Sequence, residues 1–429
     1  MTVFKDIDGL LSQTGRLLIR FWPQLLLIGA IGYIARDLLM GAAVATGLKF
    51  PLGGMVILSL VVLIKLLVFI TMFAVLRPGL PVLTALRENS APAANAQKDD
   101  KRSDHLLIVT AAAILPFFAY YAAWGFLGDT IREYSRQAFD RAAFGEKIQI
   151  FDLVRSRSLI AAICLCWFIR WIAKKSADKT QSPWLRLLIV AADASWIFIG
   201  LYALDKWKDD FIAWLGAGSF LEYLEAQATW FSIQAYAAVS SSVPVEFREP
   251  DFIEQAKNLF FYALLPLVWL VMTSIIYGYD LSAKRASVPP LPSRGATLRV
   301  WLKDFAAHYL GGYRSRYRPV WTCLRLVFGA GLGTLLSFIV FYKAISWAGA
   351  WIWYAITHSL GPYGIETWQR ISDILVILIG SPSELDGGIL LDAVRVALLA
   401  GVLEYSVAGG LSGTTSKSRS AVVRPASQS

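Results

Sequence analysis

Charged side chains, histidine and cysteine are all scarce in this sequence. Only 17% of its 429 residues are charged, against roughly a quarter in an average soluble domain. The three histidines, His105, His308 and His358, lie too far apart to form a zinc motif of the HExxH kind. Two of the three cysteines, Cys164 and Cys166, share one apolar run, which does not suit a disulfide framework. We therefore expect no metal site, no cofactor and no disulfide.

Recognisable catalytic motifs are also missing. The glycine-rich run at 329–333 resembles a phosphate loop in composition only, because no lysine follows it and it opens an apolar run. Its Gly329-x-x-x-Gly333 spacing is typical of a face for close helix packing. Asp209 and Asp210 have no second acidic motif at a helical interval. We predict no catalytic residue, and enzymes are the least supported function class.

Long apolar runs are what the sequence has in place of charge. Hydrophobic residues make up 56% of it, and the mean hydropathy is +0.53. The clearest run extends from Trp184 to Leu204. At about 1.5 Å per residue, a helix of this length crosses a bilayer core about 30 Å thick. The sequence predicts an all-α, polytopic membrane bundle of about eight transmembrane helices, with amphipathic helices in its outside loops.

The apolar runs also divide the chain into segments. The predicted transmembrane helices are 21–48, 52–76, 106–128, 159–173, 184–204, 259–279, 326–348 and 388–408. The predicted segments are an amphipathic lead-in helix (1–20), a transmembrane hairpin (21–80), a flexible inside loop (81–105), transmembrane helices three to six with two long amphipathic outside loops (106–280), a basic, proline-containing inside loop (281–325), transmembrane helices seven and eight with an aromatic outside loop (326–408) and a disordered tail (409–429). The apolar run at 371–380 is too short to cross, so we predict that it is interfacial or re-entrant.

The basic residues of the loops predict the orientation of the chain. With the N-terminus inside, the inside segments hold 22 Lys and Arg residues and the outside segments hold 12. The outside loop at 129–158 holds six of those 12 and opposes this orientation. The balance predicts both termini in the cytoplasm. The absence of glycosylation sequons favours the cell membrane of a bacterium, its inner membrane, over a membrane of the secretory pathway.

Charges inside the predicted helices are the main functional signal. A charge at the centre of a membrane helix costs about 2.5–3.5 kcal/mol on insertion scales, so it needs a partner or water. Lys65 and Asp193 both stand near the middle of their helices. We predict that they form one interhelical pair, which marks a polar site in the bundle. The alternative is a structural pair that only fixes the register of the helices.

Two further pairs of charged residues lie in the predicted helices. Arg36 and Asp37 are adjacent, so their side chains point about 100° apart and cannot share one face. We expect this pair near the outer surface. Asp392 and Arg395 are three residues apart and can meet on one side of the last helix, in a structural contact.

The loop before predicted helix seven is strongly basic. Residues 282–323 include eight basic side chains and one acidic side chain, Asp304. Arg314, Arg316 and Arg318 alternate with aromatic residues near the end of this loop. Juxtamembrane basic clusters bind anionic lipid headgroups at about 1 kcal/mol per residue. We expect membrane lipids as partners here and no nucleic acid, and the alternative is ordinary charge that sets topology.

Two functional hypotheses remain. The first is a non-catalytic scaffold or accessory component of a membrane or cell-envelope assembly, which docks a protein partner. The second is a secondary transporter or a lipid-handling permease with a polar site near Lys65 and Asp193. Large amphipathic segments on both sides favour the scaffold, as does an aromatic outside surface made of Trp347, Trp351, Trp353, Tyr354, Tyr363 and Trp368.

The basic loop gives a first testable prediction. Replacing Arg314, Arg316 and Arg318 together with glutamine should weaken binding of the protein to anionic liposomes, because each arginine contributes about 1 kcal/mol of attraction to the headgroups. Binding is measured by flotation, with neutral liposomes as the control. Unchanged binding to anionic liposomes would leave these arginines with a role in topology alone.

Overall fold

The structure of this chain is a computed structural model. It describes residues 2–89, 109–110, 113–114, 117–118, 121, 126–141, 156–177, 183–217, 252–282, 332–381 and 387–422. All regular structure in these ranges is helical, as predicted for an all-α chain. The α-helices are α1 (Thr2–Gly47), α2 (Pro51–Leu76), α3 (Pro81–Asn89), α4 (Phe126–Arg141), α5 (Ser156–Ala177), α6 (Pro183–Ala217), α7 (Phe252–Ser282), α8 (Leu332–Ser359), α9 (Ile365–Ile379) and α10 (Ile389–Val422), and a 3₁₀ turn, Arg77–Gly79, joins α2 to α3.

Four helical stretches in the described part of the chain are long and apolar enough to cross a bilayer. They correspond to predicted transmembrane helices one, two, five and seven. Shorter apolar stretches in α5 and α7 correspond to predicted helices four and six. The four long stretches are Ile7–Gly47, Pro51–Gly79, Leu185–Ala203 and Gly333–Ser359, and the two short ones are Ala162–Ala173 and Tyr262–Tyr277.

The first helix is longer than the sequence predicted. Instead of a separate lead-in helix at 1–20, α1 is one helix of 46 residues that contains Pro23. A proline inside a helix removes one backbone hydrogen bond and tends to kink or break it. Here Phe21 and Leu25, on either side of Pro23, are both buried in the core. The packing of these two side chains offsets the loss of the backbone hydrogen bond at Pro23, and the helix continues.

Helices α1 and α2 form a closely packed antiparallel hairpin. A Cβ atom at Gly54 would lie only 2.6 Å from the Cα atom of Gly47, and one at Gly32 would overlap the side chain of Val68. Glycines let helix backbones approach closely. Tyr134 of α4 packs against Gly47 and Gly54 at the tip of the hairpin. Burial raises the pKa of the Tyr134 hydroxyl, so this contact stays uncharged.

Helix α10 packs antiparallel to α1 through a second set of small residues. Gly9 of α1 faces the ring of Tyr405, and Gly401 of α10 faces Thr14. A side chain at either glycine would push the two helices apart. The last helix therefore packs against the first, and it also contacts α2, α7 and α8.

Helix α3 begins the segment 81–105, for which a flexible loop was predicted. A proline is favoured at the first position of a helix, and Pro81 occupies that position. The carboxylate of Glu404 in α10 accepts hydrogen bonds from the backbone N–H groups of Val82 (2.6 Å) and Leu83 (3.1 Å). Glu404 is only 1% exposed. A buried carboxylate distant in sequence thus caps α3, which a local reading of the sequence could not detect.

Helix α10 is also longer than predicted. Disorder was expected from Gly409 onwards, whereas α10 continues to Val422. The segment is rich in serine and threonine, which are only mildly unfavourable in a helix. The next proline is Pro425, so no strong helix breaker stands earlier in the segment.

Aromatic rings join several helices at the centre of the structure. The rings of Phe69 (α2) and Trp269 (α7) are 4.7 Å apart, and Trp269 also contacts Phe117 at 6.4 Å. Phe118 contacts Phe198 of α6 edge-on at 6.2 Å. Aromatic pairs at these distances add to the stability that burial supplies. The cluster joins α2, α6 and α7 through Phe117 and Phe118.

The hairpin contact gives a second prediction. Gly54→Ala should lower the thermal unfolding midpoint in detergent, because the new Cβ would lie 2.6 Å from a backbone atom of Gly47, and overpacking costs about 1–3 kcal/mol. Gly200→Ala is the control, since no atom lies within 4 Å of a Cβ at Gly200. Alanine is about 0.5–1 kcal/mol better than glycine inside a helix, so this variant should keep or raise the midpoint. Equal midpoints for the two variants would contradict the close packing of the hairpin.

Candidate functional site

A polar cavity lies among α2, α7, α8 and α10. Its volume is about 220 Å³. The connection between α9 and α10 also lines it, through Gly380, Ser381 and Gly387. We call it the basic cavity and define it by six of its lining residues, namely Lys65, Lys343, Ser346, Trp353, Asp392 and Arg395.

The basic cavity lies halfway along two of the long apolar helices. Lys65 is the central residue of the apolar stretch Pro51–Gly79, and Ser346 is the central residue of Gly333–Ser359. Both residues line the cavity. In a bilayer, this arrangement would put the cavity near mid-depth.

Helix α9 ends at the wall of this cavity. Gly380 has a φ of 88°, in the left-handed region that glycine tolerates best. Its N–H donates to the Val376 carbonyl at 2.9 Å, and its own carbonyl accepts from the Trp353 Nε1–H at 2.6 Å. Gly388 lies against the end of α9, where a Cβ atom would overlap the backbone of Leu378 and Gly380. These contacts bury Gly380 and Gly388, which lie at the end of α9 and the start of α10.

The basic side chains of the cavity are stabilised in two ways. Arg395 donates from Nη1 to Asp392 Oδ1 at 3.2 Å and from Nη2 to Ser346 Oγ at 3.1 Å. Lys343 lies over the ring of Tyr262, with Nζ 3.5 Å from the ring centroid. An ion pair neutralises a charge, whereas an aromatic face stabilises a cation without neutralising it.

The described part of the cavity lining has more basic than acidic residues. Among the described residues, Lys65, Lys343 and Arg395 are the basic ones and Asp392 is the acidic one. A neighbouring cavity of about 110 Å³ shares Lys65 and Asp392 and adds Arg36, which forms an ion pair with Glu133 of α4. Clefts lined by one sign of charge attract ligands of the opposite sign. The described lysine and arginine side chains could therefore attract an anion.

The structure gives Asp193 a different partner from the one predicted. Asp193 forms an ion pair with Arg170 of α5 and accepts a hydrogen bond from Trp196 Nε1 at 2.9 Å. Lys65 lines the basic cavity, and its Nζ lies 6.0 Å from the centroid of the Tyr121 ring. Both residues stand midway along their helices, but Asp193 faces α5 and Lys65 faces the cavity. The position of a charge along its helix was therefore not enough to identify its partner on another helix.

The structure places the other predicted site residues in three different settings. Asp392 and Arg395 do meet, and their contact lies in the wall of the basic cavity. The adjacent Arg36 and Asp37 diverge, since Arg36 pairs with Glu133 while Asp37 is exposed. The predicted lipid-binding arginines, Arg314, Arg316 and Arg318, lie outside the described residues.

Several residues of the site were missed from the sequence. Lys343 is a lone cation inside an apolar run, so the criterion that singled out Lys65 would also have found it. Trp353 was assigned to an outside aromatic surface, whereas its indole binds the end of α9. No local signal in the sequence placed Gly380 and Lys65 in one cavity, because they are distant along the chain.

The described residues hold no group of three or more His, Cys, Asp or Glu side chains that would suit a metal ion. What the cavity does offer is N–H donors from lysine and arginine, next to the aromatic rings of Phe69, Tyr262 and Trp269. This combination can bind an anionic group and pack against apolar atoms beside it.

The pair of Arg170 and Asp193 gives a third prediction. Arg170→Leu or Asp193→Leu alone should lower the thermal unfolding midpoint, because each leaves one charge without its partner. The double variant should be more stable than either single variant, since it removes both charges together. Arg170 is about a third exposed, so we expect only about 1–2 kcal/mol from each single change. A double variant that loses the sum of both effects would show that the two residues do not act as a pair.

Comparison with protein-family models, with curated proteins and with solved structures found no match for this chain. The residues themselves establish an all-helical architecture in the described ranges, with four stretches long and apolar enough to cross a bilayer. They also establish a cavity between helices that is lined by Lys65, Lys343, Arg395 and Asp392 together with apolar residues.

Proposed function

We propose that the chain is a polytopic membrane protein of about eight transmembrane helices in the cell membrane of a bacterium, with both termini in the cytoplasm. The four long apolar stretches supply half of these helices. The remaining four are the segment 106–128, α5, α7 and α10. The excess of basic residues in the inside segments supports the orientation.

We further propose that helix α9 is re-entrant. Its 15 residues span about 22 Å, less than a bilayer core of about 30 Å. It ends at Gly380, which lines the same cavity as Lys65, the central residue of its own apolar stretch. Irregular backbone at membrane depth is tolerated where it is buried in protein or lines a watered cavity, and the turn at Gly380 meets this condition.

The function that the geometry supports best is a transporter or a lipid-handling permease with its binding site in the basic cavity. The observation that carries this proposal is the convergence of Lys65, Lys343 and Arg395, from three helices, on one cavity. Charges inside membrane proteins usually mark a ligand or ion pathway, because they are costly to keep for structure alone. The proposed site keeps Lys65 from the sequence hypothesis and replaces Asp193 with Asp392.

The scaffold remains a second candidate because of an exposed aromatic row on α8. The row runs from Trp347 to Trp351, Tyr354 and His358, with successive rings 5.4–5.7 Å apart. Trp347 is 64% exposed. A stoichiometric protein partner that co-purifies in mild detergent, and is lost from Trp351→Ala, would favour the scaffold over the permease.

Water access to the basic cavity tests the permease proposal. In a background in which the three native cysteines are replaced by serine, Ser346→Cys should react with a charged, membrane-impermeant thiol reagent from at least one side of the membrane. The reason is that thiols react as thiolates, which need water. Ser346 lines the cavity and is partly buried.

Ala344→Cys is the matched control. Ala344 is an exposed residue of the same helix and does not line the cavity. In a bilayer it would face lipid, so its thiol should stay unreactive. If Ser346→Cys is as unreactive as Ala344→Cys with the reagent on either side, the cavity is dry and the permease proposal is wrong.

A further inference from the structure

We infer that the exposed face of α1 docks a transmembrane helix of another protein, and that a lysine or arginine near the middle of that helix pairs with Asp37. The docking site rests on one part of the proposed function, namely that α1 and α2 cross a bilayer. It does not depend on transport through the basic cavity.

The contact between α1 and α2 fixes the depth of Asp37. A Cβ atom at Gly32 of α1 would lie 2.3 Å from a methyl carbon of Val68 of α2. The two helices are antiparallel, so the five residues from Gly32 to Asp37 lead back along α2 to the level of Lys65. Lys65 is the central residue of the apolar stretch Pro51–Gly79. In a bilayer that these helices cross, Asp37 lies near mid-depth rather than at the outer surface.

Asp37 is exposed on the surface of the bundle. Arg36 precedes it, but adjacent helical side chains point about 100° apart, and the Arg36 guanidinium pairs with Glu133 of α4. No hydrogen bond or ion pair of Asp37 occurs among the described residues. A carboxylate that faces acyl chains at mid-depth is costly unless a cation or water compensates it. A cation from outside the bundle would supply this compensation.

The exposed face of α1 beside Asp37 is made of large apolar side chains. Leu27, Ile31, Ile34 and Leu38 are each more than half exposed. Their spacing of three or four residues places them on one face of the helix. This face covers about three helical turns, which is long enough for a second helix to pack along it.

Charge decides which occupant suits this face. Acyl chains would cover its leucine and isoleucine side chains but would leave the carboxylate without a cation. A second copy of this chain, docked through the same face about a two-fold axis, would bring two Asp37 side chains together, and like charges repel. A helix of another protein with a lysine or arginine at mid-depth satisfies both the apolar face and the carboxylate. Charged residues within membranes commonly pair in this way.

The test is photo-crosslinking of the full-length protein in the native membrane of the cell that produces it. A photoreactive amino acid replaces Leu38, and the cross-linked peptide is sequenced by mass spectrometry. We expect a peptide of another protein, from an apolar stretch of about 20 residues with a lysine or arginine near its centre. Val340 is the control position, because it is 64% exposed but belongs to α8. A photoreactive residue there should not yield this peptide.

Variants of Asp37 test the role of its charge. Asp37→Asn removes the charge with little change of shape and should lower the yield of the cross-linked product severalfold, because a polar contact between membrane helices changes affinity by about tenfold. Asp37→Glu keeps the charge and should keep most of the product. Asp8→Asn is the matched control, since Asp8 is exposed near the start of the same helix. Equal yields from Asp37→Asn and Asp8→Asn would overturn the inference.

The purified protein gives an independent readout. Asp37→Leu should leave its thermal unfolding midpoint in lipid nanodiscs unchanged, because the substitution breaks no ion pair among the described residues. Asp193→Leu is the comparison, since Asp193 pairs with Arg170 and its loss should lower the midpoint. A drop for Asp37→Leu as large as that for Asp193→Leu would show that Asp37 is compensated within the chain and would overturn the inference.

Three outcomes of the cross-linking would also overturn it. A peptide of this chain would assign the face to a second copy or to the chain itself. A peptide of another protein without a basic residue in its apolar stretch would remove the ion pair. Products with lipid alone would leave the face to acyl chains. None of these outcomes bears on whether Ser346→Cys reacts with the thiol reagent, so the permease proposal is tested separately.

Discussion

A charge inside an apolar helix must be compensated, and this requirement organises the contacts between helices in the described part of the chain. Arg170 and Asp193 join α5 to α6, and Arg36 and Glu133 join α1 to α4. Glu404 is compensated by backbone N–H groups at the start of α3. Because a buried charge without a partner costs several kcal/mol, each of these contacts restricts how the two helices can pack. In the basic cavity, Asp392 and Arg395 form such a contact within α10.

The helices were predictable from the sequence because their signals are local. The apolar runs gave α2 almost to the residue, and the brevity of the run at 371–380 agrees with the end of α9 at Gly380. Partners were not predictable, since helical depth can be counted along a sequence whereas the facing helix cannot. Asp193 stands at the expected depth and yet pairs with Arg170, which lies on the neighbouring helix of its own hairpin. The cap that Glu404 provides for α3 is a contact of the same long-range kind.

The site combines two features that the sequence had shown separately. One is a lysine near the middle of a long apolar helix, and the other is a short apolar run that cannot cross a bilayer. The structure joins them, because Gly380 at the end of α9 lines the same cavity as Lys65 and accepts a hydrogen bond from Trp353. Close backbone approach at Gly388 is what lets α10 begin inside the bundle. As a result, Asp392 and Arg395, in the first turns of α10, face the cavity and form an ion pair there.

The central claim is that the basic cavity lies at mid-depth in a bilayer, with α9 re-entrant. The most direct measurement is the depth of a nitroxide spin label attached at Ser381→Cys in the cysteine-free protein, reconstituted in lipid bilayers. Ser381 follows the end of α9 and lines the cavity. The account predicts a label more than about 10 Å below the headgroup boundary, in a core about 30 Å thick, and in contact with a water-soluble relaxing agent. A label at the level of the headgroups would place Gly380 and Lys65 at the membrane surface and would contradict the account.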